Sequence, residues 1–231
     1  QTGGGGPSLA VARFVRDYMK SENIVGGYCI GGITGYMADM LKEGLFRSLF
    51  DVQSFDAAVT SSIAGNPYHM EADVSWYANP FNKGCLVNDL DVVVLAALDV
   101  DVDFNVDVLT GHDGVLRGAS GGHSDTAAGA KLSVITIPSM RNGVPSIRER
   151  VQTVVTPGET VDVIVTEKGI AINPLREDLL AKAKDAGLPV GDIRRLKSEI
   201  ERTTGIPDDV EFTDQIVRSE EHTSELQSRQ S

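Results

Sequence analysis

The sequence predicts an α/β layer architecture, because short apolar runs of strand length alternate with amphipathic stretches of helical period along the chain. Two further observations agree. Leu90 to Leu98 is an apolar run broken only by Asp91, as expected of a strand covered on both faces. Glycines and prolines fall at the ends of these runs, where turns and helix caps need them.

Taken in order, Gly3 to Gly6 form a loop, Pro7 suits a first helical turn, and a helix follows. Its expected apolar face is Val11, Phe14, Val15, Tyr18 and Met19. Residues 24–30 read as a short buried strand. A second helix begins near Thr34, with Ile33, Tyr36, Met37, Met40 and Leu41 in phase and Gly44 as its C-cap. Phe46 to Val52 reads as a strand, and Ser54 as the cap of a third helix ending before Asn66-Pro67. From Asp99 to Val108, acidic or amide residues alternate with Val and Phe, which predicts a strand with one buried and one wet face. A glycine-rich loop at 117–123 leads to a short helix from Ser124. Strands are expected at 132–137, 151–156, Val161 to Thr166 and 210–217, and helices near 175–186 and 190–204, each followed by Gly.

The 231 residues, 41% apolar and 23% charged, suffice for one large domain or two small ones. No apolar run approaches the ~20 residues of a membrane helix. The opening QTGGGGPS lacks the basic and apolar regions of a signal peptide, and the missing initiator Met predicts a truncated N-terminus. A net charge of −12 argues against a nucleic-acid partner, which requires clustered Lys and Arg. Cys29 and Cys85 form no CxxC pair and predict no disulfide framework, which fits a reducing cytoplasm. Residues 218–231 are polar, lack an apolar period and read like a translated sequencing adapter, so the native domain is expected to span 1–217 of a chain cut at both ends.

The stretch Arg117-Gly118-Ala119-Ser120-Gly121-Gly122-His123-Ser124-Asp125-Thr126 is the most informative. Small residues let a ligand approach the backbone, and Ser124 or Asp125 can cap the next helix. Free N–H groups at such a junction suit a phosphate, a carboxylate or a developing oxyanion. A tight turn with a helix cap accounts for the same residues. Gly118 to Gly122 also matches G-x-S-x-G, the nucleophile elbow of α/β-hydrolases. A serine hydrolase needs a later acid and a later His; only His123, too close, and His222, in the suspect tail, follow Ser120.

Other signals have bland readings. An EF-hand loop from Asp99 would need Gly at 104 and Glu at 110, where Phe104 and Thr110 stand. Strand alternation explains these acids without metal, and no metal is expected. Gly5 and Gly6, ahead of the first helix, form a weak candidate anion loop. His69 and His112 read as surface residues of polar turns.

Several stretches together resemble the citrate lyase alpha subunit: GGGGPSLAVARF, IGGIT, FDVQSFD, LDVVVLAALDVDVDFNVDVLTGHDGVLRGASGGHSDTA, GIAINP and EFTD. The resemblance runs over 1–217 and implies the C-terminal half of a longer subunit. It also implies a layered αβα CoA-transferase-like domain with a mostly parallel or mixed central sheet. The implied reaction exchanges acetyl for citrate on a carrier protein, whose thiol ends a phosphoribosyl-dephospho-CoA arm, or on CoA. The implied partners are the acyl carrier (gamma) and lyase (beta) subunits, with citrate and acetate as small molecules.

Many related transferases use a Glu nucleophile after the strand equivalent to 24–30. Here Cys29-Ile30-Gly31-Gly32-Ile33-Thr34 holds no acid, which agrees with direct transfer through a mixed anhydride. Ser21-Glu22-Asn23 resembles a nucleophile motif of another branch, but it falls at a helix end, where a solvated cap is the simpler reading. The expected catalytic positions are Gly31, Gly32, Gly121, Gly122 and His123. Arg117, Ser120, Ser124, Asp125, Gly5 and Gly6 are expected to bind substrate, with Arg117 and His123 at the rim of one cleft. An inactive subunit-contact module is the alternative, with a hydrolase through Ser120 more remote.

Overall fold

The computed structural model describes residues 1–3, 6–211, 213 and 214. Helix α1 (Gly6–Ser21) leads to β1 (Gly26–Ile33), α2 (Gly35–Lys42), β2 (Phe46–Ser54), α3 (Ala57–Gly65) and β3 (His69–Glu71). The three strands pair in parallel in the order β1-β2-β3. Parallel neighbours need crossovers, which α2 and α3 supply. Strand alternation divides the side chains between two cores. Cys29, Ile33 and Leu49 pack with Met37 and Leu41 of α2 and Val59 of α3. Ile30, Tyr28, Phe50 and Val52 join the larger core instead.

The cap of α3 is Asp56, two residues beyond the expected Ser54; its carboxylate accepts from the N–H groups of Ala58 and Val59. The other oxygen accepts from the Gly35 N–H at 2.7 Å, so one side chain ties together the starts of α2 and α3. The expected buried face of α1 is corrected. Ala12 and Met19 are buried, but Phe14 is 72% and Tyr18 61% exposed, and Val15 is exposed too. Only the stripe ending at Met19 meets Met40 and Leu45. Period alone identifies an amphipathic face without identifying what covers it.

The rest of the chain forms α4 (Val74–Ala78), a 3₁₀ turn at Leu86–Asp89, β4 (Val92–Ala96), β5 (Asp99–Asp101), β6 (Val106–Asp107) and α5 (His123–Gly129). Then come β7 (Leu132–Thr136), β8 (Met140–Arg141), β9 (Val144–Pro145), β10 (Ile147–Arg148), β11 (Val163–Thr166), β12 (Gly169–Ile172), α6 (Glu177–Asp185) and α7 (Ile193–Thr204). The second main sheet has the order β12-β11-β7-β4. It is mixed: β4, β7 and β11 run parallel, and β12 returns antiparallel. Thr2 bridges Val94 in parallel, adding the start of the chain beside β4. An edge-on contact between Phe50 and Trp76 joins the first sheet to α4, and a second, Tyr28–Phe50, lies between β1 and β2.

The strand expected from Asp99 to Val108 is a short antiparallel pair, β5 and β6, closed by a turn with Phe104 at φ 67°. Its acidic face is not wet: Asp99, Asp101 and Asp107 are buried, and only Asp103 is exposed. Backbone donors replace water. Asp101 accepts from the N–H groups of Asp103, Asn105 and Val151, and from the Asn105 amide. Asp107 accepts from the N–H groups of Leu109, Thr110 and Thr153 and from the Thr110 hydroxyl.

The strand expected at 151–156 is absent, leaving one bridge between Val106 and Thr156. Of the strand expected at 210–217, the described residues 210, 211, 213 and 214 form none, and the rest lies outside the described residues, as does the whole tail 218–231. His69 is buried rather than superficial, with Nδ1 2.9 Å from the Ser62 hydroxyl.

Candidate functional site

A cleft of about 750 Å³ opens at the carboxyl ends of β1 and β2. Ligand crevices of open α/β sheets commonly occupy this position. One wall is Gly31 and Gly32, with Val52 and Gln53 beside them. Gly31 and Gly32 belong to β1 itself, not to a loop after it: the register with β2 slips between them, from Gly31↔Asp51 to Gly32↔Gln53. Gly31 has φ +105°, and a Cβ there would sit 2.9 Å from the Gln1 side chain. Glycine at 31 therefore lets the Gln1 carboxamide pack directly on the strand backbone. The opposing wall is Ala119, Ser120, Gly121, Gly122, His123 and Asp125. A Cβ on Gly122 would lie 2.5 Å from the Tyr77 ring, so glycine there lets α4 and α5 close together. Segment 1–3, Phe55, Val74, Tyr77 and Phe81 are among the residues that close the rest of the surround.

Several expected residues stand elsewhere or act differently. Arg117 lies away from this cleft, in a separate small cavity with Asp99, His112 and Arg141. Its guanidinium forms a two-pronged pair with Asp113 and donates to the Thr110 carbonyl, so its charge is already engaged. Ser124 is buried in α5 and does not line the cleft. Neither it nor Asp125 caps α5; the N-cap is Gly122, and both side chains fall in the first turn. Gly6 begins α1 outside the lining, and Gly5 lies outside the described residues. Glu22 is exposed beyond the end of α1 and does not line the cleft.

His123 lines the cleft, but both ring nitrogens are committed to the fold. The Ala96 carbonyl can only accept, so Nε2–H donates to it at 3.0 Å, and Nδ1 accepts from the Thr156 hydroxyl at 2.6 Å. Burial pulls its pKa down to about 4, so the ring is neutral at pH 7. It therefore offers Ser120 no base; the other later histidine, His222, lies outside the described residues. Asp125 carries the only charged side chain among the described lining residues, and no Arg or Lys is among them. The cleft is thus a largely neutral space of glycine backbone, amide and aromatic side chains, suited to hydrogen-bonding an oxygen that gains charge. Among the described residues no group of three or more His, Cys, Asp or Glu is placed to hold a metal ion. No helix is long and apolar enough to cross a membrane, again among the described residues.

Gln1, Gln53, Phe55, Tyr77 and Phe81 escaped the sequence reading. Tyr77 sits on a five-residue helix too short to show a period, and Gln1 precedes the glycine run with nothing to mark it.

Comparison with known proteins gives a consistent answer. The family model described as "Citrate lyase, alpha subunit (CitF)" matches residues 1–223. Over 217 residues the chain is 51% identical to the citrate lyase alpha chain of Klebsiella pneumoniae, covering 94% of this chain and 43% of that one. It is 50% identical over the same length to that of Escherichia coli (strain K12), covering 42% of it. A solved structure described as the alpha subunit of citrate lyase from Streptococcus mutans, in complex with citrate, matches with a TM-score of 0.91 at 47% identity. That match covers 94% of this chain and 43% of the other. The chain therefore spans less than half the length of these relatives. The α/β fold with mixed sheets is of the CoA-transferase type. The chain belongs to the citrate lyase alpha subunit family.

Proposed function

We propose that this segment forms part of the acyl-exchange site of a citrate lyase alpha subunit, a transferase that replaces acetyl by citrate on a carrier-protein thioester. The observation that carries this reading is the convergence of two glycine walls, Gly31-Gly32 and Gly121-Gly122, on one cleft without Glu, Lys or Arg among its described lining residues.

In the proposed route a citrate carboxylate oxygen attacks the acetyl-thioester carbonyl. The C–S bond breaks and the carrier thiolate leaves with its electron pair, giving a citryl–acetyl anhydride. The thiolate then attacks the citryl carbonyl, the anhydride C–O bond breaks, and acetate departs. Each addition places negative charge on a carbonyl oxygen, which fixed N–H donors stabilise. Cations for citrate's carboxylates come from chain beyond this segment, a reading supported by the length of the relatives. The carrier thiol is carried on a phosphoribosyl-dephospho-CoA arm of the gamma subunit, the beta subunit cleaves the citryl product, and the complex works in the cytoplasm.

The test compares the 231-residue chain with the intact subunit that contains it, assaying citryl-carrier formation from acetyl-carrier and citrate. The intact subunit should turn over and the shorter chain should not, because remote binding energy cannot act at a half-built site. In the intact subunit Gly121→Val should lower kcat by ~10²-fold. Glu22→Gln should leave kcat within about twofold, since the group lies outside the cleft. A glutamyl thioester trapped at Glu22 by hydroxylamine would establish the covalent route instead. The competing reading, a contact module without catalysis, is favoured by the exposed Phe14, Val15 and Tyr18, and predicts an intact subunit that never exchanges.

A further inference from the structure

The two glycine walls are linked by a pair of side chains that the exchange reading leaves without a role. Gln1 is anchored through its backbone: its carbonyl accepts from the Val94 N–H at 3.0 Å, and its nitrogen donates to the Val92 carbonyl at 2.9 Å. Its carboxamide lies against Gly31, the ideal Cβ position there being 3.1 Å from Nε2. Across the cleft the Tyr77 ring lies against Gly122. The two meet at Nε2–Oη, 2.9 Å, with Oε1 at 3.2 Å from the same hydroxyl. Burial raises the Tyr77 pKa to about 12, so the phenol stays protonated and acts only through hydrogen bonds. An amide nitrogen has two N–H groups, and Tyr77 takes one. The second has no partner among the described residues, in a cleft with no cationic side chain among its described lining.

We infer that Gln1 is a substrate-contacting donor of this site, supplying a neutral N–H to the carbonyl oxygen that gains charge, and that Tyr77 is the positioning residue that holds its carboxamide. This rests on the exchange reading. A neutral donor suits the chemistry: it stabilises an oxyanion without trapping the carboxylates of substrate and product, as a fixed cation would. The geometry also couples the two residues: the Tyr77 hydroxyl, tied as well to the Thr126 side chain, bonds the Gln1 carboxamide.

The test uses the intact subunit, with kcat and KM for citrate separated, for Gln1→Ala, Gln1→Glu, Tyr77→Phe and the Gln1→Ala/Tyr77→Phe pair. Gln1→Ala should lower kcat by ~10²-fold with little change in KM. Gln1→Glu keeps an acceptor for the Tyr77 hydroxyl, and so the local packing, but removes the donor; it should lose at least as much. Tyr77→Phe should cost about tenfold, as one hydrogen bond lost. The double variant should be no slower than Gln1→Ala alone, a non-additivity that two independent structural roles would not give. A Gln1→Glu enzyme within about twofold of wild-type kcat overturns the inference, as do losses that multiply in the double variant. If the wild-type subunit itself fails to exchange, the exchange reading is refuted, and this inference with it.

Discussion

The imidazole of His123 enters the folded state neutral, held between the Thr156 hydroxyl and the Ala96 carbonyl, with its pKa near 4. In the unfolded chain an ordinary His takes up a proton near pH 6.5. The folded form does not, so its contribution to stability is complete above pH 6.5 and is lost as pH falls towards 4, by about 3 kcal/mol in all. Asp99 works in the opposite sense. Burial, opposed by Arg148 and Arg141 and aided by Asp107, lifts its carboxyl to about 6. Its burden on the fold is therefore present above pH 6 and relieved as pH falls towards the ordinary carboxylate range. Urea titrations from pH 4 to pH 7.5 separate the two. Asp99→Asn should raise stability at pH 7.5 and steepen the acid-side fall, whereas His123→Gln should flatten it. Neither shift was legible in sequence, since each follows from burial against distant segments, Ala96 and Thr156 for His123 and Arg141 and Arg148 for Asp99. Arg117 failed for a nearer reason: its place in a glycine-rich motif marked it as a substrate cation, but Asp113, its i,i+4 neighbour, engages it.

Among the elements, those with a strong period or a strong cap were legible, and those stabilised by long-range hydrogen bonds were not. Helices α2, α6 and α7, with Gly44, Gly187 and Gly205 at positive φ after them, could be placed from the sequence. So could β4, β7 and β11, as apolar runs. The acidic repeat from Asp99 misled because period two fits a half-wet strand equally well as a tight turn whose carboxylates accept backbone N–H groups. The distinction is measurable. Asp107→Ala strands several buried donors and should cost at least ~3 kcal/mol in urea unfolding. Exposed Asp103→Ala should stay within about 0.5 kcal/mol. A solvated acidic face would give small and equal losses for both. The glycine walls were legible as sequence, but their meeting in one cleft depends on the register slip in β1 and on α4.

For the molecule as a whole, the largest departure from expectation is the apolar face of α1, which carries exposed Phe14, Val15 and Tyr18. Phe14→Ser and Tyr18→Ser in the 231-residue chain should change unfolding stability by no more than about 0.5 kcal/mol each, because neither side chain is buried. Losses of the ~3 kcal/mol typical of truncated core aromatics would restore the face first expected. The junction between the first sheet and α4 has another use. Trp76 is the sequence's single tryptophan, 5.1 Å from Phe50 on one side of that junction and next to Tyr77 of the cleft. Its fluorescence therefore reports from one place, the seam along which the first sheet and α4 would part. If the chain opens there before its helices melt, the emission will shift ahead of the far-ultraviolet dichroism; if it unfolds as one unit, the two curves will coincide. A ligand filling the cleft would be read from the same indole without any label.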